Sequence, residues 1–113
     1  MLPKINRIAK KPEITAIFKN GRLFKNRNLN LRVLKNNLNL CRFIFIVSNK
    51  VAKKAVRRNK IKRWLREIVY KTLDKFNAGY DIMLVARPSI INQDFKDLNE
   101  ELLASFSKMK ILR

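Results

Sequence analysis

The chain has 113 residues, 47% of them hydrophobic, which is enough for one domain with a modest core. It has a net charge of +19 and contains no histidine, one cysteine and two glycines. This composition excludes a disordered chain, a zinc cluster of cysteine and histidine ligands, and a glycine-rich phosphate loop. The charge predicts a polyanionic partner.

The first 66 residues contain the whole net charge, with 20 lysines and arginines and a single acid, Glu13. Residues 67–113 contain seven basic and seven acidic residues. We therefore interpret the N-terminal part as the binding part and the C-terminal part as structural support. Cys41 lies in an apolar run, which predicts a buried thiol in a reducing compartment. With no apolar signal segment at the start and no apolar run long enough to span a bilayer, we expect a soluble cytoplasmic protein.

Residues 1–10 are basic and irregular, and we expect them to be flexible or ordered only along the domain surface. The first predicted helix begins at Pro12, with Glu13 near its N-terminus, and ends at Gly21. Its one apolar face is formed by Ile14, Ile17 and Phe18.

The segment Asn28–Leu34 alternates between apolar and polar residues and predicts a half-buried strand. The Asn36-Asn37 pair predicts a turn, so the apolar run Leu40–Ser48 should return antiparallel, as a central strand. A similar run, Tyr80–Arg87, is stopped by Pro88. Since a long helical segment separates these two apolar runs, they should form a βαβ unit with parallel strands.

The last predicted helix spans Asn92–Met109, with Asn92 as the N-cap. Asp94 and Asp97 favour its N-terminus through the helix dipole, which explains them better than metal binding does. The apolar stripe of this helix consists of Phe95, Leu98, Leu102, Leu103 and Phe106.

The stretch Lys50–Arg66 contains nine basic residues among seventeen and no acid. A helical wheel places one apolar stripe towards the core, formed by Ile61, Leu65, Ile68, Thr72 and Phe76. The opposite arc is cationic and polar, and consists of Asn59, Lys62, Arg63, Arg66 and Tyr70. Trp64 lies at the edge of the stripe, which favours packing over base stacking.

A solvated helix face normally mixes glutamate with lysine, and no acid follows Glu13 until Glu67. The cationic arc therefore indicates nucleic-acid binding, because arginine and lysine contact phosphates by charge and hydrogen bonding. The chain lacks histidine, and its carboxylates show no spacing suited to a two-metal site. We expect no catalytic residue, no metal site and no cofactor bound by the chain alone.

Several ordered motifs resemble the bacterial ribonuclease P protein subunit over nearly the whole chain. Phe18-Lys19-Asn20-Gly21 closes the first helix, Val47-Ser48-Asn49-Lys50 ends a strand, and Ala86-Arg87-Pro88 ends another. Between the last two lies the basic block Ala55–Arg66, in which the Arg-Asn-Arg signature of the family stands as Arg58-Asn59-Lys60.

The resemblance implies a single α+β domain over residues 1–113, a two-layer α/β sandwich. The predicted order is α-β-β-α-β-α, allowing one extra short strand. It also implies a left-handed βαβ crossover, whereas general connection rules alone would predict a right-handed one.

The same resemblance implies a function as the RNA-binding protein subunit of ribonuclease P. Its partner would be a catalytic RNA that removes the 5′ leader of precursor tRNA by hydrolysis, with Mg²⁺ at the active site of that RNA. The expected partners are the RNA subunit and the precursor tRNA, with no membrane and no protein partner.

The site residues follow from the resemblance position by position. The expected contacts with the RNA subunit are Lys50, Lys53, Lys54, Arg57, Arg58, Asn59, Lys60, Lys62, Arg63 and Arg66. A cleft for the leader should be lined by Ile14, Phe18, Asn30, Arg32 and Ser48. Because Ile14 and Arg32 stand where the family often has aromatics, phosphate contacts should replace part of the base stacking.

Two other classes remain open at this point. A ribosomal or other small basic RNA-binding protein would share the charge but not the signature and the cleft. A DNA-binding module or a protein of anionic membranes is disfavoured by a chain with several strands and no helix-turn-helix pattern.

Overall fold

The computed structural model describes residues 2–113 and has the predicted α+β architecture, including the extra short strand. Three 3-10 turns, at Lys4–Asn6, Leu73–Lys75 and Pro88–Asn92, connect its main elements. Those elements are α1 (Lys11–Asn20), β1 (Arg22–Lys25), β2 (Leu29–Lys35), β3 (Arg42–Ile46), α2 (Ala55–Thr72), β4 (Tyr80–Ala86) and α3 (Phe95–Lys108).

The four strands form one mixed sheet in the order β1-β2-β4-β3. β3 and β4 are parallel neighbours, as the predicted βαβ unit requires, with Phe43 opposite Ile82. β2 is antiparallel to both β1 and β4. β3 therefore runs opposite to β2 as predicted, but β4 lies between them. The prediction of β3 as a central strand is wrong, because it forms an edge of the sheet.

β3 is apolar although it is an edge strand, because other parts of the chain cover it. Phe43 is fully buried on the face of the sheet that packs against α2 and α3, and Ile44 packs on the opposite face. Along the outer edge, the amide of Ile8 donates to the carbonyl of Phe43 at 2.9 Å. The N-terminal segment thus protects the edge of β3, and its Leu2 is buried in the main core.

Cys41 is buried and unpaired, in agreement with its assignment to the core. Burial raises the pKa of its thiol, so the side chain remains neutral. Its backbone carbonyl accepts a hydrogen bond from the side chain of Asn6 at 2.8 Å, which fastens the N-terminal segment from Leu2 onward to the domain. Met1 lies outside the described residues.

The main core lies between one face of the sheet and the helices α2 and α3. The alternation in β2 is confirmed, since Leu29, Leu31 and Val33 are buried there. The predicted stripes of both helices also face this core, with Leu65 and Leu98 fully buried. Phe76 belongs to the core but follows the 3-10 turn after α2 rather than lying on the helix.

α1 packs against the opposite face of the sheet, where Ile17 meets Met83 in a smaller cluster that includes Ile14. The helix ends at Asn20, as predicted, but Gly21 has a φ of −69°, so no left-handed residue terminates it. Glycine is required there for space, because a Cβ atom would lie 2.5 Å from the carbonyl oxygen of Ile17.

Two predicted helix boundaries need correction. α3 begins at Phe95, and its N-cap is Asp94, whose carboxylate accepts from the amide of Asp97 at 2.8 Å. Asn92, the predicted N-cap, belongs to the preceding 3-10 turn. In the basic stretch, Lys50–Lys54 forms a loop, and only Ala55 onward is helical. None of the described helices is long and apolar enough to cross a membrane.

Arg42 joins three elements through one charged network. Its guanidinium forms two hydrogen bonds with the buried carboxylate of Asp81 on β4, at 2.9 and 2.8 Å. Its third nitrogen lies 2.7 Å from the carboxylate of Glu13 in α1. The side chain of Asn36, after β2, also donates to Asp81 at 2.8 Å. The bonds to Asp81 raise the pKa of Arg42, so the charge is permanent.

We predict that Arg42→Met lowers the free energy of unfolding by about 3 kcal/mol, because the substitution leaves the buried carboxylate of Asp81 without its counter-ion. Urea unfolding of both proteins at pH 7 measures this difference. Glu13→Gln is the control, with an expected loss of about 0.5 kcal/mol because Glu13 is more exposed. Equal losses in the two variants would contradict this ranking.

Candidate nucleic-acid interface

The loop Lys50–Lys54 leads directly into the N-terminus of α2, where the positive end of the helix dipole lies among cationic side chains. Lys54 is the N-cap residue, and the first turn of the helix contains no acid. The unpaired amides of such a terminus and the nearby charges both favour an anion. This end of α2 is therefore suited to contact with phosphate groups.

Arg58 holds this loop in place. Its Nη1 atom donates to the carbonyl of Ala52 at 3.0 Å and to that of Lys53 at 2.7 Å. The side chain is half-buried, unlike its exposed neighbour Arg57. The structure thus gives the first residue of the signature a role that its sequence position did not predict: it fixes the loop that presents Lys53 and Lys54.

The ten predicted RNA-subunit contacts form one continuous segment of loop and helix. None of them makes an ion pair with another residue in the described range 2–113. Seven are exposed, and Arg58, Lys62 and Arg66 are half-buried. Their charges are therefore available to a partner, in contrast to that of Arg42.

These side chains divide over two flanks of α2. Arg63 and Arg66 line a groove of about 440 Å³ that Tyr70 and Leu2 also border. On the other flank, Lys60 lines a smaller groove of about 70 Å³ beside the 3-10 turn Pro88–Asn92. The cationic surface thus curves around the helix, so a partner would have to contact it from more than one direction.

Trp64 packs as predicted, beside the main core. Its ring meets that of Phe95 edge to face, with 5.8 Å between the centroids. The ammonium group of Lys60 lies 4.9 Å from the centre of the tryptophan ring, a cation–π distance. The indole is therefore engaged on one side by α3 and on the other by a signature lysine.

The predicted cleft is centred on Phe18 and Arg32. Phe18 is 47% exposed at the last turn of α1. The guanidinium of Arg32 lies 5.3 Å from the centre of the Phe18 ring and donates to the Phe18 carbonyl at 3.4 Å. An exposed aromatic ring beside a cation is suited to a nucleotide, because the ring can stack on a base while the cation contacts a phosphate.

Asn30 lies two residues before Arg32 on the same face of β2. Its side-chain oxygen is buried and has no hydrogen-bond partner among the described residues. Such an orphaned acceptor costs about 1–3 kcal/mol unless a ligand or water supplies a donor. Asn30 shares a face of β2 with Arg32, whose guanidinium lies over the Phe18 ring, and this makes Asn30 the neutral polar group of the predicted cleft.

The strand order adds two residues to the predicted cleft that the sequence did not indicate. Asn30 pairs with Val85 of β4, which in turn pairs with Ile46 of β3, so these three side chains form a row across the sheet. Val85 and Ile46 were hidden within uniformly apolar runs. Only the strand order shows that they lie beside Asn30.

The two remaining cleft residues have different surroundings. Ile14 is half-buried against the smaller cluster and forms part of the wall of α1. Ser48 is exposed two residues beyond Ile46, where its hydroxyl accepts from the amide of Lys50 at 3.3 Å. The structure therefore brings Phe18, Asn30 and Arg32 together, with Ile14 behind them and Ser48 at the end of the row that leads to the basic loop.

The described part of the chain, Leu2 to Arg113, contains no group of three or more acidic, cysteine or histidine side chains that could hold a metal ion. The one acid of the basic half, Glu13, forms an ion pair with Arg42.

Comparison with known proteins identifies the family of the chain. The family model of ribonuclease P matches residues 2–110. A ribonuclease P protein component from Clostridium botulinum (strain 657 / Type Ba4) is 38% identical over 109 residues, covering 96% of this chain and 97% of that protein. One from Alkaliphilus oremlandii is 32% identical over 108 residues, covering 96% and 94%.

Solved structures of two such proteins share the fold. A mutant RNase P protein of Staphylococcus aureus superposes with a TM-score of 0.91 at 28% identity, covering 96% of this chain and 92% of that one. The RNase P protein of Thermotoga maritima gives a TM-score of 0.83 at 30% identity, covering 90% and 96%. Family model, relatives and fold all agree: the chain belongs to the ribonuclease P protein family, the protein subunits of the ribonucleoprotein endonuclease that processes the 5′ end of tRNA.

Proposed function

We propose that the chain binds the RNA subunit through the loop Lys50–Lys54 and α2, and holds the 5′ leader of precursor tRNA in the cleft of Phe18, Asn30 and Arg32. Two separate surfaces support this division. From Lys50 to Arg66, the loop and helix present cations that form no ion pair within residues 2–113, with no acid among them, which suits a structured RNA. The cleft combines a ring, an amide and one cation, which suits a single strand.

The exposed ring of Phe18 beside the guanidinium of Arg32 is the observation that favours a base-binding cleft over a general cationic surface. A leader base could stack on the exposed part of the Phe18 ring while Arg32 contacts the adjacent phosphate. Mature tRNA has lost its leader and can make none of these contacts with the protein. The cleft would therefore favour precursor over product.

Catalysis belongs to the RNA subunit in this proposal. The bound RNA would hold Mg²⁺ at its own active site, where the ion supplies the activated water. The chain contributes neutralisation of phosphates near the docking surface and orientation of the leader. A cytoplasmic location, where precursor tRNA is processed in bacteria, completes the proposal.

Reconstitution tests the proposed function. The protein is added to a bacterial ribonuclease P RNA at low Mg²⁺ concentration, and the cleavage of precursor tRNA is measured. We expect faster cleavage than with the RNA alone, because bound cations replace part of the Mg²⁺ that neutralises the RNA. If cleavage with the protein is no faster than with the RNA alone at every Mg²⁺ concentration tested, the proposal is wrong.

Substitutions in the signature separate charge from loop geometry. We predict that Arg57→Ala, which removes an exposed cation, flattens the dependence of log affinity for the RNA subunit on log salt by about one unit. Arg58→Ala should flatten it by about one unit and also weaken binding further, because the loop is released. Filter binding over a range of salt concentrations provides both slopes.

Arg58→Lys is the matched control for this pair. Lysine keeps the charge but lacks the planar guanidinium that bonds both carbonyls. The salt dependence should therefore have the same slope as that of the parent protein, while the affinity falls. An unchanged slope in both alanine variants would argue against phosphate contacts at this end of α2.

For the cleft, we predict that Phe18→Ala reduces the preference for precursor over mature tRNA by about 1–3 kcal/mol, the size of one lost base-stacking contact. Competition binding to the reconstituted holoenzyme measures the two affinities. Leu38→Ala is the control, since Leu38 is similarly exposed but lies in the turn after β2. An equal loss for both RNAs would place Phe18 outside the leader site.

A further inference from the structure

The turn between β1 and β2 is braced far more heavily than a surface turn requires. Asn28 is 2% exposed, and its side-chain amide donates to the carboxylate of Glu101 at 2.7 Å. The oxygen of the same amide accepts from the hydroxyl of Ser89 at 2.8 Å. α3 and the segment after β4 therefore both hold this turn.

Further hydrogen bonds hold the side chain of Asn26 and the backbone of the turn. The side chain of Asn26 donates to the hydroxyl of Ser105, and its carbonyl accepts from the guanidinium of Arg87 at 2.9 Å. The hydroxyl oxygen of Ser89 also lies 2.7 Å from the carbonyl oxygen of Arg27, so its one hydrogen is shared between this carbonyl and the amide oxygen of Asn28. Arg27 itself is exposed, and its side chain makes no hydrogen bond or ion pair within residues 2–113. The network thus holds rigid a turn whose central side chain is a free cation.

The turn lies at the border of the cleft. Lys25 pairs directly with Asn30, and Leu23 with Arg32, so the side chains of Lys25 and Leu23 share the face of the sheet that carries the cleft. Lys25 is exposed and unpaired as well. The nearest acid of the turn network, Glu101, accepts hydrogen bonds from Asn28 and forms no ion pair with Lys25 or Arg27 within residues 2–113.

We propose that Lys25 and Arg27 form a phosphate-binding site that extends the cleft along β1, and that its ligand is the backbone of the leader strand. This rests on the proposed function of the cleft. The RNA subunit could supply the same phosphate chemistry, but the direct pairing of Lys25 with Asn30 places the site beside the leader rather than on α2. The rigid turn spares the complex the entropy of ordering the backbone of Arg27 on binding.

The test uses the reconstituted holoenzyme and precursor tRNAs in which single leader phosphates are replaced by neutral methylphosphonates. Arg27→Ala should weaken precursor binding about fivefold, the effect of one exposed ionic contact, and leave mature tRNA unaffected. Neutralising the contacted phosphate should cause the same loss with the parent protein and no further loss with Arg27→Ala. Lys25→Ala should behave likewise at a neighbouring phosphate.

Lys35→Ala is the control for the loss of one positive charge, because Lys35 is exposed at the opposite end of β2. Arg27→Lys should bind precursor tRNA as tightly as the parent protein does. The thermal unfolding temperature of Arg27→Ala should equal that of the parent protein, because the Arg27 side chain makes no hydrogen bond or ion pair within residues 2–113. The proposal is overturned if Arg27→Ala weakens mature tRNA or the RNA subunit equally, or if no leader phosphate is coupled to it. A failure of the proposed function would differ, since the parent protein would then not stimulate cleavage.

Discussion

Arg42 is the residue on which the geometry of the cleft depends, because three elements are connected through its guanidinium. Arg42 belongs to β3. Its hydrogen bonds with Asp81 connect it to β4, and its ion pair with Glu13 connects it to α1. The position of α1 over the sheet determines where Phe18 stands relative to Arg32. A partly buried ion pair adds little net stability, but its bidentate geometry fixes β3 against β4, and the bond to Glu13 adds one contact with α1.

The same network affects the balance of charges in the N-terminal part of the chain. Glu13, the only acid in the first 66 residues, is used internally, so the remaining cations in that part have no local counter-charge. They are spread over a loop, one helix and a sheet border rather than buried, and the folded protein tolerates their repulsion. Binding to RNA relieves this repulsion, which makes the partner part of the electrostatic balance of the fold.

Local patterns in the sequence predicted most elements and both of their faces. Alternation in β2 and the stripe of Ile61, Leu65 and Ile68 each depend only on neighbouring residues. The position of β4 between β2 and β3 could not be predicted this way, because strand order is decided by packing between distant segments. For the same reason, Val85 and Ile46 were not recognised as cleft residues. The hydrogen bonds of Arg58 depend on the path of a loop backbone that has no sequence signature.

The two edge strands of the sheet are protected in different ways in the free protein. The N-terminal segment covers β3, whereas β1 leaves its outer backbone groups open and carries Arg22 and Lys25 beside them. A second copy that approached this edge would bring the same charges opposite its own, so pairing of the two strands is repelled. The repulsion weakens as salt screens it. Charges that suit RNA binding therefore also keep free chains apart before assembly, and they do so best at low ionic strength.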